Sequence, residues 1–586
     1  MAVDGPQEDE PREAEDGDVR GRGAAGARGP GDPGRDDDPF DWITSPLRRV
    51  RFGRLMVLVG PLGLAIALVL SLWVSTMHVR HSLIVQVETQ WQPQERLGVR
   101  AQIVAAREGP IADTRMGMRV EQGGAAIELP ALSIISDGNA GEGSFEVPAS
   151  LQPGAAVLWL DVTGEGMDAM HEAIPIEVVA RRSAVAATPI VSGSTLQYGD
   201  DSDAQLEALR VVVRPSGRLL AGFDNDLFVR VTEPDGRPYV GAVAVWLAGG
   251  EFMGKVGEVD RPTPLFEGRT DALGLVRLRG PLENDVLRIE VRVPDLAAGP
   301  QTRRMRLVSF AGGVMASSGV DAVAPGGTLE FKAWGLSSKL PIHVDVHGDD
   351  GAFMDVMTPP VIGREAPRPW RVPVDAVGVV QFEAHNQVTA PGESTAFVRV
   401  QVTAADPQAR AGLSPLLELQ RAHAADHRIE RDYDAALERA WLDAIAGLPL
   451  SPAEVASARA FLLGTLPPSI FGPPVAVATR PRLDEELRRV QGRWRIAMRV
   501  LLLGGGGAFL AFMTLGMIRS HRRATEATLA ELRTDASVND ETRAQLEAQV
   551  RGAARAGIAR GLGVVAIMVG GIALTMFILE NLVWVF

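Results

Sequence analysis

Residues 270–278, which we call the deciding line, read TDALGLVRL. Asp and Gly favour a tight turn, and the residues that follow alternate with the period of two expected of a half-buried strand. A near copy, DAVGVVQF, occupies 375–382, and the glycines of the two lines, Gly274 and Gly378, lie 104 residues apart. That spacing is about the size of one β-sandwich domain. The repeat therefore predicts tandem β-sandwiches.

Strand-like alternation surrounds these lines and divides the middle of the chain. A looser version of the line, GEGSFEV, lies upstream at 141–147. We predict modules over 80–182, 188–297 and 301–405. The expected fold class is mainly β, with three tandem Ig-like β-sandwiches, a helical membrane-proximal segment and three transmembrane helices.

The second module carries a resemblance to known domains. A strand, the turn PDGRP at 234–238, the strand GAVAVWL at 241–247 and then TDALGLVRL follow one another. This order resembles bacterial immunoglobulin-like domains and macroglobulin-type modules. The resemblance implies an adhesive or scaffolding module, and such a fold does not by itself define an activity. The thioester of complement-like macroglobulin proteins needs a cysteine, which this chain lacks.

Composition excludes several classes of function. The 586 residues are too many for one core, and the net charge of −14, without a basic stretch interleaved with aromatics, argues against a nucleic-acid partner. The absence of cysteine removes disulfides, thiolate zinc sites, iron–sulfur clusters and cysteine nucleophiles. Residues 1–47 are mostly charged, Gly and Pro, and we expect a disordered cytoplasmic tail.

The first predicted membrane span covers 54–77. Leu55 to Val74 is apolar without a charge, and about 20 such residues match a hydrocarbon core of about 30 Å. Four arginines precede it within 48–54 and favour a cytoplasmic N-terminus. We interpret the span as an uncleaved signal anchor, because it is long and no small-residue cleavage site follows.

Two further spans are predicted at 496–518 and 561–584. Both contain runs of glycine, Gly504 to Gly507 and Gly570-Gly571, and small residues let helices approach closely in lipid. We therefore expect the two spans to pack as a hairpin. Arginines at both ends of the intervening segment 519–560 indicate a cytoplasmic helical loop.

The segment 411–495 changes to a helical pattern before these spans. Its clearest signal is Ser451-Pro452-Ala453-Glu454, a serine cap with proline at the first turn and glutamate three residues later. We predict a helical membrane-proximal stalk or cap.

Three residues, His343, Asp345 and His347, alternate along one predicted strand. Metal binding is one interpretation, but no fourth ligand can be assigned. The alternating valines already supply a buried face, so we expect these polar side chains to lie on a solvated outer face.

Four other sets of residues could bind a metal or have a functional role, or could be ordinary surface residues. His423 and His427 have zinc-helix spacing without the glutamate that follows the first histidine in metalloproteases. The acidic stretches 199–203 and 224–226 offer oxygens to calcium but fit no calcium-loop pattern, and we interpret them as solvated turns. Glu580 near the last span is a functional candidate or an interfacial residue.

These observations predict a binding protein rather than an enzyme, with no catalytic, cofactor-binding or metal-binding residue and no cofactor. We expect a protein of the bacterial inner membrane whose periplasmic modules bind or scaffold a protein or ligand in an envelope complex. The alternative is a sensor or accessory subunit of a transport or secretion machine. The sequence leaves open whether the protein forms a homo-oligomer. A metal-dependent hydrolase using one of the histidine pairs is the third hypothesis.

Overall fold

The computed structural model describes residues 62–583 with fifteen internal gaps. The gaps are 106–108, 136–137, 185–187, 190–197, 200–208, 285, 295, 297–298, 312, 337–341, 358–366, 387–394, 425–434, 468 and 535–539. The predicted tail and the first part of the predicted span 54–77 lie outside the described residues. The chain divides into two compact units, one of Met77–Val490 and one formed by the residues before and after it.

β-region 1 (81–178) consists of two facing five-stranded sheets. Its strands are β1 (His81–Val87), β2 (Gln90–Trp91), β3 (Arg96–Ala105), β4 (Arg115–Gln122), β5 (Ala125–Leu129), β6 (Ser133–Ile135), β7 (Ala140–Glu146), β8 (Gly154–Thr163) and β9 (Met170–Val178). One sheet has the order β2-β9-β8-β4-β5. The other has a strand from far downstream, Val475–Ala478 (β31), at its edge beside β1, and continues β3-β7-β6. Alternate residues of both sheets, such as Val99 and Leu158, fill the core between them.

β-region 2 (210–308) contains the deciding line. Its strands are β12 (Arg210–Pro215), β13 (Leu220–Ala221), β14 (Phe223–Thr232), β15 (Ala242–Phe252), β16 (Lys255–Gly257), β17 (Thr263–Arg269), β18 (Leu275–Leu282), β19 (Val286–Val293) and β20 (Gln301–Val308), with the short β10 (Thr188–Pro189) and β11 (Tyr198–Gly199) before them. The main order is β11-β20-β19-β15-β18-β14-β12. A continuous apolar core joins these strands.

The turn before β18 forms as the sequence predicts. Asp271 Oδ1 accepts hydrogen bonds from the backbone N–H groups of Leu273 and Leu275. Gly274 has φ +73°, and a Cβ there would lie 2.3 Å from the carbonyl oxygen of Val231. Only glycine fits this position, which explains the Asp-x-x-Gly spacing.

β-region 3 (314–402) repeats the pattern. Its strands are β22 (Val314–Ser318), β23 (Ala322–Val323), β24 (Thr328–Gly335), β25 (His343–His347), β26 (Phe353–Met357), β27 (Arg368–Arg371), β28 (Gly378–His385) and β29 (Ala396–Val402), after the short β21 (Phe310–Ala311). They form a three-stranded sheet, β22-β24-β27, and a five-stranded sheet, β23-β29-β28-β25-β26. The second copy of the deciding line therefore opens β28, with Gly378 at φ +84°.

Helices follow the strands. They are a 3-10 turn at Arg410–Leu413, then α2 (Ser414–Ala422), α3 (Ala435–Gly447), α4 (Pro452–Gly464) and α5 (Arg480–Arg499), with the strand β30 (Ser469–Ile470) and β31 between α4 and α5. The capping box at the start of α4 is confirmed: Ser451 and Glu454 bond each other's backbone N–H. Residues of α2, α3 and α4 share one apolar cluster with Phe228 and Leu275 of β-region 2.

The other unit is helical. α1 covers Leu62–Ser75, α6 covers Gly506–Thr534 after a π-helical segment at Val500–Gly505, and α7 covers Asp540–Ile578 before a second π-helical segment at Leu579–Val583. Two helical stretches, Arg480–Thr534 and Glu541–Asn581, are long and apolar enough to cross a membrane. The prediction of three spans is thus corrected to two in the described residues. The described helix of the first predicted span has 14 residues, about 21 Å, which is short of a hydrocarbon core.

The expected hairpin of the last two apolar helices is confirmed. A Cβ on Gly506 would lie 2.9 Å from Ile572, and a Cβ on Gly557 would lie 2.8 Å from His521. The close approaches therefore run along an antiparallel pair. Gly570 and Gly571, which we expected at the contact, have nothing within 4 Å. Both helices continue into the charged segment 519–560.

Candidate functional site

A buried ion-pair network joins β-regions 1 and 3; we call it the first junction. Arg100 on β3 donates from Nε to Glu142 on β7 at 2.5 Å and from Nη2 to Asp345 on β25 at 2.6 Å. Asp345 also contacts Nε2 of His385 on β28 at 2.7 Å, and Glu142 contacts Nδ1 of His343 at 3.1 Å. The five side chains are at most 5% exposed.

The prediction of a solvated face for His343, Asp345 and His347 is wrong, because all three residues have 0% exposure. Both faces of β25 are buried: Val344 and Val346 pack into the core of β-region 3, and the polar face lies against β-region 1. A strand with one solvated face and a strand whose charged face is buried in a junction show the same alternation of apolar and polar residues, so the sequence does not distinguish them.

In the first junction, opposite charges keep Asp345 and Arg100 ionised despite burial. Burial alone would raise the pKa of Asp345, but Arg100 and His385 outweigh burial and hold that pKa well below its usual range. Burial likewise opposes the charge of Arg100, yet the carboxylates of Asp345 and Glu142 keep its pKa raised. Burial lowers the pKa of His343, against the smaller effect of Glu142.

Backbones approach closely at the edge of the first junction. A Cβ on Gly98 of β3 would lie 3.1 Å from the backbone of Asp355 and 3.1 Å from the ring of Phe353. The carboxylate of Glu88 accepts a hydrogen bond from the N–H of Phe353 at 2.9 Å. β-regions 1 and 3 therefore fit together sterically as well as electrostatically.

A second junction joins β-region 2 to α3. Glu438 accepts two hydrogen bonds from Arg230, at 2.7 and 2.6 Å, and two from Arg214, both at 3.2 Å. The guanidinium of Arg230 also lies 4.6 Å from the ring centre of Trp441, whose Nε1 donates to the carbonyl of Leu273 at 3.0 Å. Burial tends to raise the pKa of Glu438, but the two arginines outweigh it and lower that pKa.

The deciding turn takes part in the same packing. Asp271 accepts a hydrogen bond from the Ser457 hydroxyl of α4 at 3.0 Å, and burial raises the pKa of its carboxyl. The turn therefore supports the helices as well as opening β18.

The metal alternatives gain no support from the part of the chain that the structure describes. No group of three or more His, Cys, Asp or Glu there could hold a metal ion. His427 and most of 199–203 lie outside the described residues. In the stretch 224–226, Asp226 is ion-paired with Arg277 at 2.7 Å and Asn225 is bonded to the backbone of Leu220.

Glu580, the candidate in the last predicted span, is held by two arginines. Its carboxylate accepts from Arg499 at 2.6 Å and also pairs with Arg495. The acidic residue lies in the second π-helical segment, and π-helical turns are frequent at functional sites.

An open cleft of 650 Å³ is the accessible candidate site. It is lined by β-region 2, β-region 3 and α4. The residues that line it are 216–218, 220, 222–224, 226, 277, 279, 315–321, 334, 396–399, 460 and 463–464. The side chains of Arg277 and Arg279 are 43% and 64% exposed, so solvent reaches this surface. The two junctions, in contrast, are closed to solvent.

Sequence reasoning missed the residues that build these features. Arg100, Glu142 and Glu438 each share their strand or helix with at least one other charged residue, so the local sequence does not single them out. Arg100 pairs with Asp345, which lies 245 residues away, and with Glu142, which lies 42 residues away. Glu438 pairs with Arg230, which lies 208 residues away.

No family model and no curated protein matches this chain. Several solved structures align with part of it. The trypsin-activated α-2-macroglobulin of Escherichia coli matches at 11% identity and a TM-score of 0.13, over 57% of this chain and 24% of that one. A tetra-tandem repeat of a large adhesion protein matches at 13% and 0.14, over 56% and 75%. Latent PorU of Porphyromonas gingivalis matches at 12% and 0.20, over 56% and 34%. We draw no functional conclusion from likenesses of this size.

Proposed function

We propose that the chain is a membrane-anchored binding or scaffolding protein of the bacterial envelope. In this proposal β-regions 1 to 3 are immunoglobulin-like modules outside the cytoplasm, and they hold a protein partner in an envelope complex. The observation that carries the proposal is the cleft, because it is open, polar and formed where two β-regions and a helix meet.

The two junctions give this proposal a physical basis. A string of independent modules would move on flexible linkers and would order only on binding, at a cost in affinity. Buried ion pairs instead tie β-region 1 to β-region 3, and Glu438 ties β-region 2 to α3. A buried hydrogen bond from Arg459 of α4 to Gln401 of β29 adds a tie between α4 and β-region 3, two walls of the cleft, which suits a scaffold.

Photocrosslinking in intact cells tests the function. A photoreactive amino acid replaces Val320, which lines the cleft and is 44% exposed, or Val259, which is 51% exposed and outside the lining. We expect one defined envelope protein to crosslink from position 320 and not from position 259. Equal patterns from the two positions, or no crosslinks from either, would contradict the proposal.

A second candidate function is a sensor or accessory subunit of a transport or secretion machine. One observation favours it: a helical stretch of 55 residues, Arg480–Thr534, includes both the predicted second span and the start of the charged segment 519–560. A photoreactive residue in place of Ala530 tests this candidate. Crosslinks from there to a membrane machine would favour the sensor, and their absence would favour the scaffold.

A further inference from the structure

The strand β22 of β-region 3 has one open edge in the cleft. On one side it pairs antiparallel with β24, from Val314 opposite Gly335 to Ser318 opposite Phe331. Among the residues that the structure describes, no second strand pairs with it. Residues 315–318 line the cleft, where Ala316 is buried and Met315, Ser317 and Ser318 are half-buried. An exposed edge of this kind is a template for another strand.

β18 contributes two arginines to the lining, which also contains the carboxylates of Asp224, Asp226 and Asp321. Arg277 on β18 makes a two-point contact with Asp226, at 2.7 and 3.1 Å. Arg279, two residues along the same strand face, is 4.0 Å from Asp226 and 64% exposed. The guanidinium of Arg279 is therefore within reach of a further carboxylate, and arginine binds carboxylates by paired hydrogen bonds.

Small polar residues complete the lining beside the strand edge. Ser317 and Ser318 are half-buried, and each of their hydroxyls donates to a backbone carbonyl within residues 318–320. The side chains beside the edge are therefore short, and they leave room for an added backbone. Trp334, which is half-buried, lines the same cleft and offers apolar surface to a side chain of an added strand.

We propose that the cleft binds an extended peptide segment that adds to the open edge of β22 and places an aspartate or glutamate against Arg279. Backbone hydrogen bonds to 315–318 supply affinity, and the carboxylate supplies selectivity, as in other cases of strand addition. This inference rests on the proposed binding function and names the chemistry of its partner.

The test uses the full chain in detergent and synthetic ten-residue peptides that alternate Thr and Val around a central Glu. A matched set replaces Glu by Gln, and another set carries N-methyl groups on alternate amides. We expect the acidic peptides to bind by fluorescence anisotropy. The Gln peptides should bind about tenfold more weakly. N-methylation should abolish binding when the methylated amides are the ones that face β22.

Variants of the protein locate the site. Arg279→Ser should weaken the Glu peptide about tenfold and leave the Gln peptide unchanged. The control Arg306→Ser changes an exposed arginine of β20 outside the cleft and should have no effect. Hydrogen exchange should show new protection of 315–318 when the Glu peptide is bound.

Failure has distinct meanings for the two proposals. Absence of binding by the acidic peptides, equal binding to the Arg279→Ser variant, or protection elsewhere would overturn the strand-addition site. Protection of 315–318 in the free chain would mean that a segment of this chain already occupies the edge, and it would also overturn the site. A crosslinked partner from position 320 would still support the binding function after either result.

Discussion

The two buried junctions use the same elementary chemistry with different titratable groups. In the first, one arginine is shared by two carboxylates and two histidines approach those carboxylates. In the second, one carboxylate is shared by two arginines and an aromatic ring covers one of them. Each junction satisfies charge with charge, but only the first contains histidine, the side chain whose ordinary pKa lies near neutral pH. The comparison teaches that equal burial does not mean equal sensitivity to pH.

The largest expected effect is that of removing the shared arginine. Arg100→Met removes the cation that Glu142 and Asp345 share in the buried junction, and breaking a buried ion pair costs about 3–5 kcal/mol. Hydrogen exchange of β3 and β25 in the full chain measures this as a lower free energy of local opening.

The control for this variant is Arg119→Met, whose ion pair with Asp161 is about one-third exposed. An exposed pair contributes at most about 1 kcal/mol. Equal effects of the two substitutions would show that the first junction contributes no more than a surface contact.

Removing the shared carboxylate tests the second junction. Glu438→Gln keeps the shape but removes the carboxylate charge that Arg214 and Arg230 share. We expect a loss of about 3 kcal/mol, at the lower end of the range for a broken buried pair, because Arg230 keeps its contact with Trp441. Hydrogen exchange of α3 and β14 reports the loss. A larger loss than for Arg100→Met would reverse the ranking of the junctions.

A steric change addresses the close approach at the first junction. Gly98→Ala places a methyl group 3.1 Å from the backbone of Asp355, which cannot move as freely as a side-chain tip. Overpacking of this kind costs about 1–3 kcal/mol. Gly117→Ala in β4 is the matched control, since nothing lies within 4 Å of its Cβ position. Thermal unfolding of the two variants should separate them, and coincident curves would argue against tight contact.

The smallest effect is the dependence on pH. Burial lowers the pKa of His343 below 6.5, so the unfolded chain takes up a proton that the folded chain does not. The first junction is therefore fully stabilised above pH 6.5 and loses stability as the pH falls below that value. The pKa of Glu438 is lowered from 4.5, so the second junction keeps its stability until the pH falls below 4.5.

Hydrogen exchange between pH 6.5 and 5 measures this difference, after correction for the intrinsic exchange rate. We expect β25 to open more readily at the lower pH while α3 does not change. His343→Gln should flatten the response of β25, whereas His171→Gln, a change at a histidine that is 63% exposed, should leave it intact. An unchanged slope in the His343→Gln variant would assign the response to another group.

Local patterns were sufficient for much of the fold. The Asp-x-x-Gly turn before Leu275, the strand that follows it and the capping box at Ser451 depend on neighbouring residues, and each is present. The hairpin of the last two apolar helices was also predictable, but its contacts involve Gly557 and Gly561 more than Gly570-Gly571. Helix pairing depends on rotation about the axis, which composition does not specify.

Other features required contacts between distant segments. β31 completes a sheet of β-region 1 from nearly 400 residues downstream, as the bond from Leu83 N–H to Thr479 Oγ1 illustrates. Nothing in the local sequence of either segment indicates that pairing. The cleft likewise exists only because β-regions 2 and 3 and α4 meet.

The alternation of the strands, the helix starts, the absence of cysteine chemistry and the apolar character of the terminal helices can all be read from the sequence, because each depends on composition or on residues close in the chain. What the polar face of β25 contacts depends instead on how distant segments pack. Alternation states that His343, Asp345 and His347 share a face, but water and a buried Arg100 satisfy such a face equally well. The choice between them depends on which surface packs there, and that is a property of the whole chain.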